Sequence, residues 1–132
     1  MYRCPSDDVG AHVTTWGPRY EYSYTINFNM TGYDWNANPI GPRPPVKANN
    51  IKQSSTKILM IDESSETIDD GTWAPQHNLT DFRNVLSNRH DKRAEVSVDR
   101  NAGKGNVLMG DFHAEFLERK LTLAERHYSP RW

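Results

Sequence analysis

The chain has 132 residues, with 16 Lys and Arg against 17 Asp and Glu for a formal net charge of −1. That length suits one modest core, and the balanced charge removes the electrostatic basis for nucleic acid or an anionic membrane surface as a partner. Only 36% of the residues are hydrophobic, so much of the chain is expected to be loop, and no apolar run is long enough for a transmembrane helix or a signal-peptide core.

The opening run Arg3-Cys4-Pro5-Ser6-Asp7-Asp8 is polar and turn-like, and Pro5 biases Cys4 away from helix. Cys4 is the only cysteine, so an intrachain disulfide is excluded. Without further Cys or His nearby in sequence, a thiolate zinc site is not expected, and Cys4 reads as a small buried residue. Across 20–30, Tyr20, Tyr22, Tyr24, Ile26, Phe28 and Met30 alternate with Glu21, Ser23, Thr25, Asn27 and Asn29. Strict period two predicts a strand with the tyrosine face in the core and the other face in water.

Residues 31–56 form a long Pro-, Gly- and Asn-rich loop, broken at Asn38-Pro39, Gly41-Pro42 and Pro44-Pro45. A short interior strand follows over 57–61, ending at Asp62-Glu63, with a turn at Asp69-Asp70-Gly71. Helical spacing of Leu79, Phe82, Val85 and Leu86 predicts a short helix over 77–88. Ala94, Val96 and Val98 alternate with Glu95, Ser97 and Asp99, which predicts another strand. A turn over 101–105 leads into a C-terminal hairpin over 106–118 with its bend at Asp111-Phe112-His113. Leu117, Leu121, Ala124 and Tyr128 then fit a terminal helix stopped by Pro130. The whole predicts one α+β, β-dominated domain over 1–132: a small antiparallel sheet with long loops and one or two short helices.

Few residue groups point to chemistry. Gly103-Lys104-Gly105 lacks the upstream glycine and the Ser or Thr of a phosphate loop. His90, Asp111 and His113, with Glu63, are the candidate ligands for a divalent metal through nitrogen and oxygen, if the fold brings them together. Hydrogen bonding that pins the hairpin is the competing and preferred account of His90 and Asp111. Asp62, Ser64, Glu66, Asp69 and Asp70 are rich in oxygen but lack the EF-hand glycine, and read as a solvated acidic loop. Tyr33 and Trp35, in a polar loop, and Trp73 are candidates for stacking on a polysaccharide.

Several short motifs resemble the C-terminal head region of pseudopilin-like proteins, which carry a prepilin-type N-terminal cleavage and methylation segment and are related to type II secretion pseudopilins. They are Arg3-Cys4-Pro5-Ser6-Asp7, Tyr22-Ser23-Tyr24 with Asn27, the 58–63 strand with its acidic end, Arg89-His90, and the run from Gly105 to Glu115. Phe112 stands where that family has glycine, and the gap from His90 to Asp111 is longer than the family's, so 93–100 reads as an insertion. The resemblance implies a head domain lacking the family's N-terminal hydrophobic helix. That helix would join it to other pseudopilin-like subunits of an envelope or secretion filament, at the cell envelope or extracellular surface. A calcium or zinc ion in a structural role fits this picture. The expected function is therefore a non-enzymatic structural subunit. A surface glycan-binding module is the alternative, and a small metal-dependent hydrolase built on His90, Asp111, His113 and Glu63 stands third.

Overall fold

A computed structural model of the chain describes residues 2–15, 17–34, 41–42, 44–75, 83–93 and 101–130. The strand expected over 94–98 lies outside them, as does the first half of the helix expected over 77–88. Its second half, 83–88, is not helical, and Leu86 instead forms an antiparallel bridge with Glu63.

The fold is a small α+β domain built on a five-stranded sheet. In chain order the strands are β1 (Tyr24–Asn27), β2 (Tyr33–Asp34), β3 (Gly41–Pro42), β4 (Ile58–Asp62), β5 (Thr72–Trp73), β6 (Lys104–Met109) and β7 (Ala114–Glu118). The main sheet runs β5-β1-β4-β6-β7, and β2 pairs with β3 apart from it. All neighbours in the main sheet are antiparallel except β5, which lies parallel to β1. That two-residue parallel strand is too short to leave a periodic signal in the sequence. The hairpin of β6 and β7 is present as read, beginning two residues earlier, at Lys104. In place of a long terminal helix there is a 3-10 stretch, Arg119–Leu123, followed by one α-helical turn, α1 (Glu125–Tyr128).

One side of the sheet carries the core: Ile58, Ile61, Trp73, Leu86, Val107 and Met109, with Leu117 and Tyr128 packed against it. Each large apolar side chain fully buried there contributes roughly 1.5–3 kcal/mol. Gly105 is required at its place in β6, because an added Cβ would stand 2.0 Å from the Ser87 carbonyl oxygen.

The two faces of β1 are the reverse of the sequence expectation. Ser23, Thr25 and Asn27 are fully buried, while Tyr22 is exposed and Tyr24 and Ile26 are half-buried. Period two fixes the alternation but not which face turns inward. The inward side holds the buried Glu63 carboxyl and two carbonyls that need donors. Thr25 Oγ1 donates to Glu63 Oε2 at 2.8 Å, and Asn27 Nδ2 reaches the carbonyls of Ile58 (2.7 Å) and Tyr128 (2.9 Å). Small polar side chains satisfy these groups without leaving voids, which tyrosines could not do. The opposite face, with Tyr24, Met60, Leu108 and Ala114, stays half open.

Candidate metal centre

Asp62 ends β4, opposite Tyr24 of β1. Its side chain has no solvent exposure, and neither carboxylate oxygen has a hydrogen-bond partner. The nearest cationic groups are Nη2 of Arg89 at 3.6 Å and Nε2 of His90 at 3.4 Å, both beyond hydrogen-bond length. A buried carboxylate without donors is costly. Burial accordingly pushes its pKa up to about 6, against the pull of the Arg89 and His90 charges.

Cys4 arrives from the N-terminal segment and brings its sulfur beside this carboxylate. Its amide donates to Ser23 Oγ at 2.8 Å, and its Sγ lies 3.1 Å from His90 Nε2. His90 comes from the turn after Leu86 and keeps its side chain 30% exposed, so the group borders solvent on one side. One donor atom each from Cys4, Asp62 and His90 lie within 4.8 Å of one another. Among the described residues this is the one group of three or more such side chains that converges.

The arrangement decides between two chemistries. A Cys-His-Asp nucleophile relay needs thiol and carboxylate on opposite ring nitrogens, so that the carboxylate orients the imidazole. Here both face Nε2, and Cys4 is only 4% exposed. Sulfur, nitrogen and oxygen donors within 4.8 Å of one another are close enough to share one ion. Donors on a tetrahedral zinc at ordinary bond lengths stand roughly 3.3–3.6 Å apart, close to the 3.1 and 3.4 Å separations present. The three residues are thus placed to coordinate a divalent metal.

The surroundings hold the donors in place. Asp7 is buried and accepts from Ser65 Oγ at 2.7 Å, faces His12 Nε2 at 2.9 Å and ion-pairs with Nη1 of Arg89. Burial works to raise the Asp7 carboxyl, but its bonds to Ser23 and Ser65, the Arg89 charge and the His12 bond together hold it below the usual carboxylate range. His12 Nδ1 donates to the Tyr20 carbonyl at 2.7 Å. Arg89 also reaches Ser87 Oγ at 2.6 Å and the Glu63 carbonyl. Burial, followed by the Asp62 charge, raises the pKa of Tyr24.

The residues singled out from sequence occupy different places. His90 is at the centre described. Glu63 points to the opposite side of the sheet, bonded to Thr25 and to Thr67 Oγ1 at 3.1 Å, and complete burial pushes its pKa well above the usual value. Asp111 and His113 sit on the exposed hairpin bend, where His113 Nδ1 meets Asp111 at 2.5 Å and Nε2 meets Glu115 at 2.9 Å. Trp73 is wholly buried in the core, its Nε1 donating to the Asn84 carbonyl at 3.0 Å. Trp35 lies outside the described residues, and only the backbone of Tyr33 is described.

Two expectations are corrected by the centre. The absence of closely spaced Cys and His argued against a thiolate site, yet the ligands come from three separate segments and need no local spacing. A purely structural, non-enzymatic subunit is also contradicted: a Cys-Asp-His cluster able to take a metal ion, with Cys4 and Asp62 buried and His90 open to solvent, is a candidate catalytic or cofactor-binding site. Cys4 was expected only as a small buried residue, and Asp62 as part of a solvated acidic loop, whereas Asp62 is fully buried. The usable signal was the pairing of a lone cysteine with an acidic residue ending an apolar strand. No family model matches this chain, and neither the curated proteins nor the solved structures compared with it give a match.

Proposed function

We propose that this chain is the metal-bearing head domain of a pseudopilin-like surface subunit, with a zinc-class divalent ion held by Cys4, Asp62 and His90. The carrying observation is the Asp62 carboxylate, buried and without a hydrogen-bond donor beside a thiol and an imidazole. A thiolate, an imidazole and a carboxylate favour zinc and its neighbours over calcium or magnesium, which take oxygen ligands. Three protein donors leave one position for water or another ligand, the donor count also used by catalytic zinc sites.

The pseudopilin-like part of the reading rests on where the resembling motifs meet. Cys4 of the first motif, Asp62 near the end of the 58–63 strand and His90 of Arg89-His90 are far apart in sequence and meet at this centre. The run from Gly105 to Glu115 builds the β6–β7 hairpin. In this reading the domain belongs to an envelope or secretion filament and joins other subunits of its kind. No helix among the described residues is long and apolar enough to cross a membrane.

Thermal melts with zinc, with calcium and with EDTA test the metal. Zinc at a hundredfold excess over its dissociation constant stabilises by about 2.7 kcal/mol. The melt should rise with zinc, fall with EDTA and ignore calcium. A melt indifferent to zinc contradicts the reading.

A further inference from the structure

We propose that the metal fastens residues 2–6 as a strap across Asp62, and that the strap lifts when the ion leaves. The inference rests on the metal reading above and assigns that site a conformational role.

The strap has little else to hold it down. Residues 2–6 belong to no strand or helix, and Cys4 is the one buried apolar side chain among residues 2–15. Its backbone ties to the sheet are two hydrogen bonds at 2.8 Å, from the Ser23 amide to the Tyr2 carbonyl and from the Cys4 amide to Ser23 Oγ, while a third, from the Asp7 amide to the Cys4 carbonyl at 3.0 Å, only closes the turn at its end. Arg3 donates from Nε to the Glu21 carbonyl at 2.5 Å and pairs with the Glu21 carboxylate, where both side chains are more than half exposed, contacts of small net value. Tyr2 touches Tyr22 edge-on at 6.3 Å and remains 54% exposed. Beyond the strap, Asp7 is anchored firmly to Ser65 and Arg89, which makes it the pivot.

What lies underneath sets the sign. With no ion, the seated strap keeps a carboxylate out of water and without a donor, and lifting it lets water reach Asp62. With an ion, Asp62 gains a directly bonded cation in addition to the more distant Arg89 and His90 charges, and Cys4 gains a bond to the same centre, so seating becomes favourable. Tyr2 is also one wall of a groove of ≈ 360 Å³ lined by Tyr24, Met60, Leu108 and Ala114. Lifting the strap removes that wall and widens the open apolar face of the sheet, so metal occupancy controls how much of it is exposed.

Amide hydrogen exchange on the full chain, with EDTA or with zinc in hundredfold excess over its dissociation constant, tests this at three positions. Cys4 and Ser23 donate the two strap bonds, and Met109 donates to the His113 carbonyl in the hairpin as a control. In EDTA the Cys4 and Ser23 amides should exchange nearly as fast as in an unstructured chain while Met109 stays protected. Zinc should then slow both by about a hundredfold, the factor by which bound ligand suppresses an opening that destroys its site. If zinc binds stoichiometrically but the two amides are already as protected as Met109 in EDTA, the strap proposal is overturned and the metal reading survives. If no zinc binds, both fall. An Asp62→Asn variant separates the buried charge from the ion: without metal, its strap amides should stay protected. Exchange as fast as in the metal-free parent would overturn the proposal.

Discussion

Cys4 Sγ and His90 Nε2 stand 3.1 Å apart, joining the N-terminal segment to the turn that follows Leu86. The same nitrogen faces Asp62, so His90 is the hub of the donor set, whereas His113 is engaged by two carboxylates of its own hairpin. Replacing His90 with Ala should weaken zinc binding by about 100-fold or more, beyond the usual cost of losing an outer-shell partner. His113→Ala should leave the affinity unchanged. Isothermal titration with both variants reads the difference, and equal losses would place the ion elsewhere.

The inverted faces of β1 make a stability prediction. Asn27 is buried and donates to the Ile58 and Tyr128 carbonyls, while Tyr22 is 43% exposed. Asn27→Leu strands one buried and one part-buried acceptor and should cost roughly 2–6 kcal/mol, taking about 1–3 kcal/mol for each group left unpaired. Tyr22→Ser should cost less than about 1 kcal/mol, as surface changes usually do. Chemical denaturation of the two variants gives the comparison, and the opposite ranking would restore the tyrosine face to the core.

This strand also marks how far the sequence could be read. Period two disclosed β1, the apolar run 57–61 disclosed β4, and the turn residues between β6 and β7 disclosed the hairpin. Which side of β1 faces inward depends on Glu63 and on the Tyr128 carbonyl, distant in the chain and brought near only by folding. The centre was half legible for the same reason. His90 stood out as a ligand type, but Cys4 and Asp62 become ligands only when strap, strand end and turn meet.

Phe112 adopts φ +70°, the left-handed region, on the hairpin bend. Its amide donates to the Met109 carbonyl at 2.9 Å and its side chain is 68% exposed, so the turn is closed by a residue poorly suited to it. The left-handed conformation costs a non-glycine residue roughly 1–2 kcal/mol, and glycine's extra chain entropy returns about half of that. Phe112→Gly should therefore stabilise the domain by about 0.5–1 kcal/mol, raising the denaturation midpoint. A lowered midpoint would mean that the exposed ring makes contacts worth more than the strain.

His113 gives a pH signature. Its hydrogen bond to Glu115, then that to Asp111, raise its pKa above the ordinary histidine value of 6.5. A raised folded pKa means that the hairpin's charge stabilisation is fully present below pH 6.5 and is lost as pH rises through the raised value. Glu115→Gln should move the NMR titration midpoint of His113 downward, and high salt should move it the same way. A midpoint indifferent to both changes would show that the carboxylates do not hold the imidazolium.

The central claim, a thiolate-bearing metal site at Cys4, Asp62 and His90, is tested most directly by cobalt(II) absorption spectroscopy. Cobalt takes the same donors as zinc and reports sulfur ligation as a near-ultraviolet charge-transfer band, together with visible bands whose intensity marks four-coordination. The account predicts one equivalent of cobalt, both signatures, their displacement by zinc, and loss of the charge-transfer band in Cys4→Ser. A spectrum matching hydrated cobalt, or a sulfur band that persists in Cys4→Ser, would contradict it.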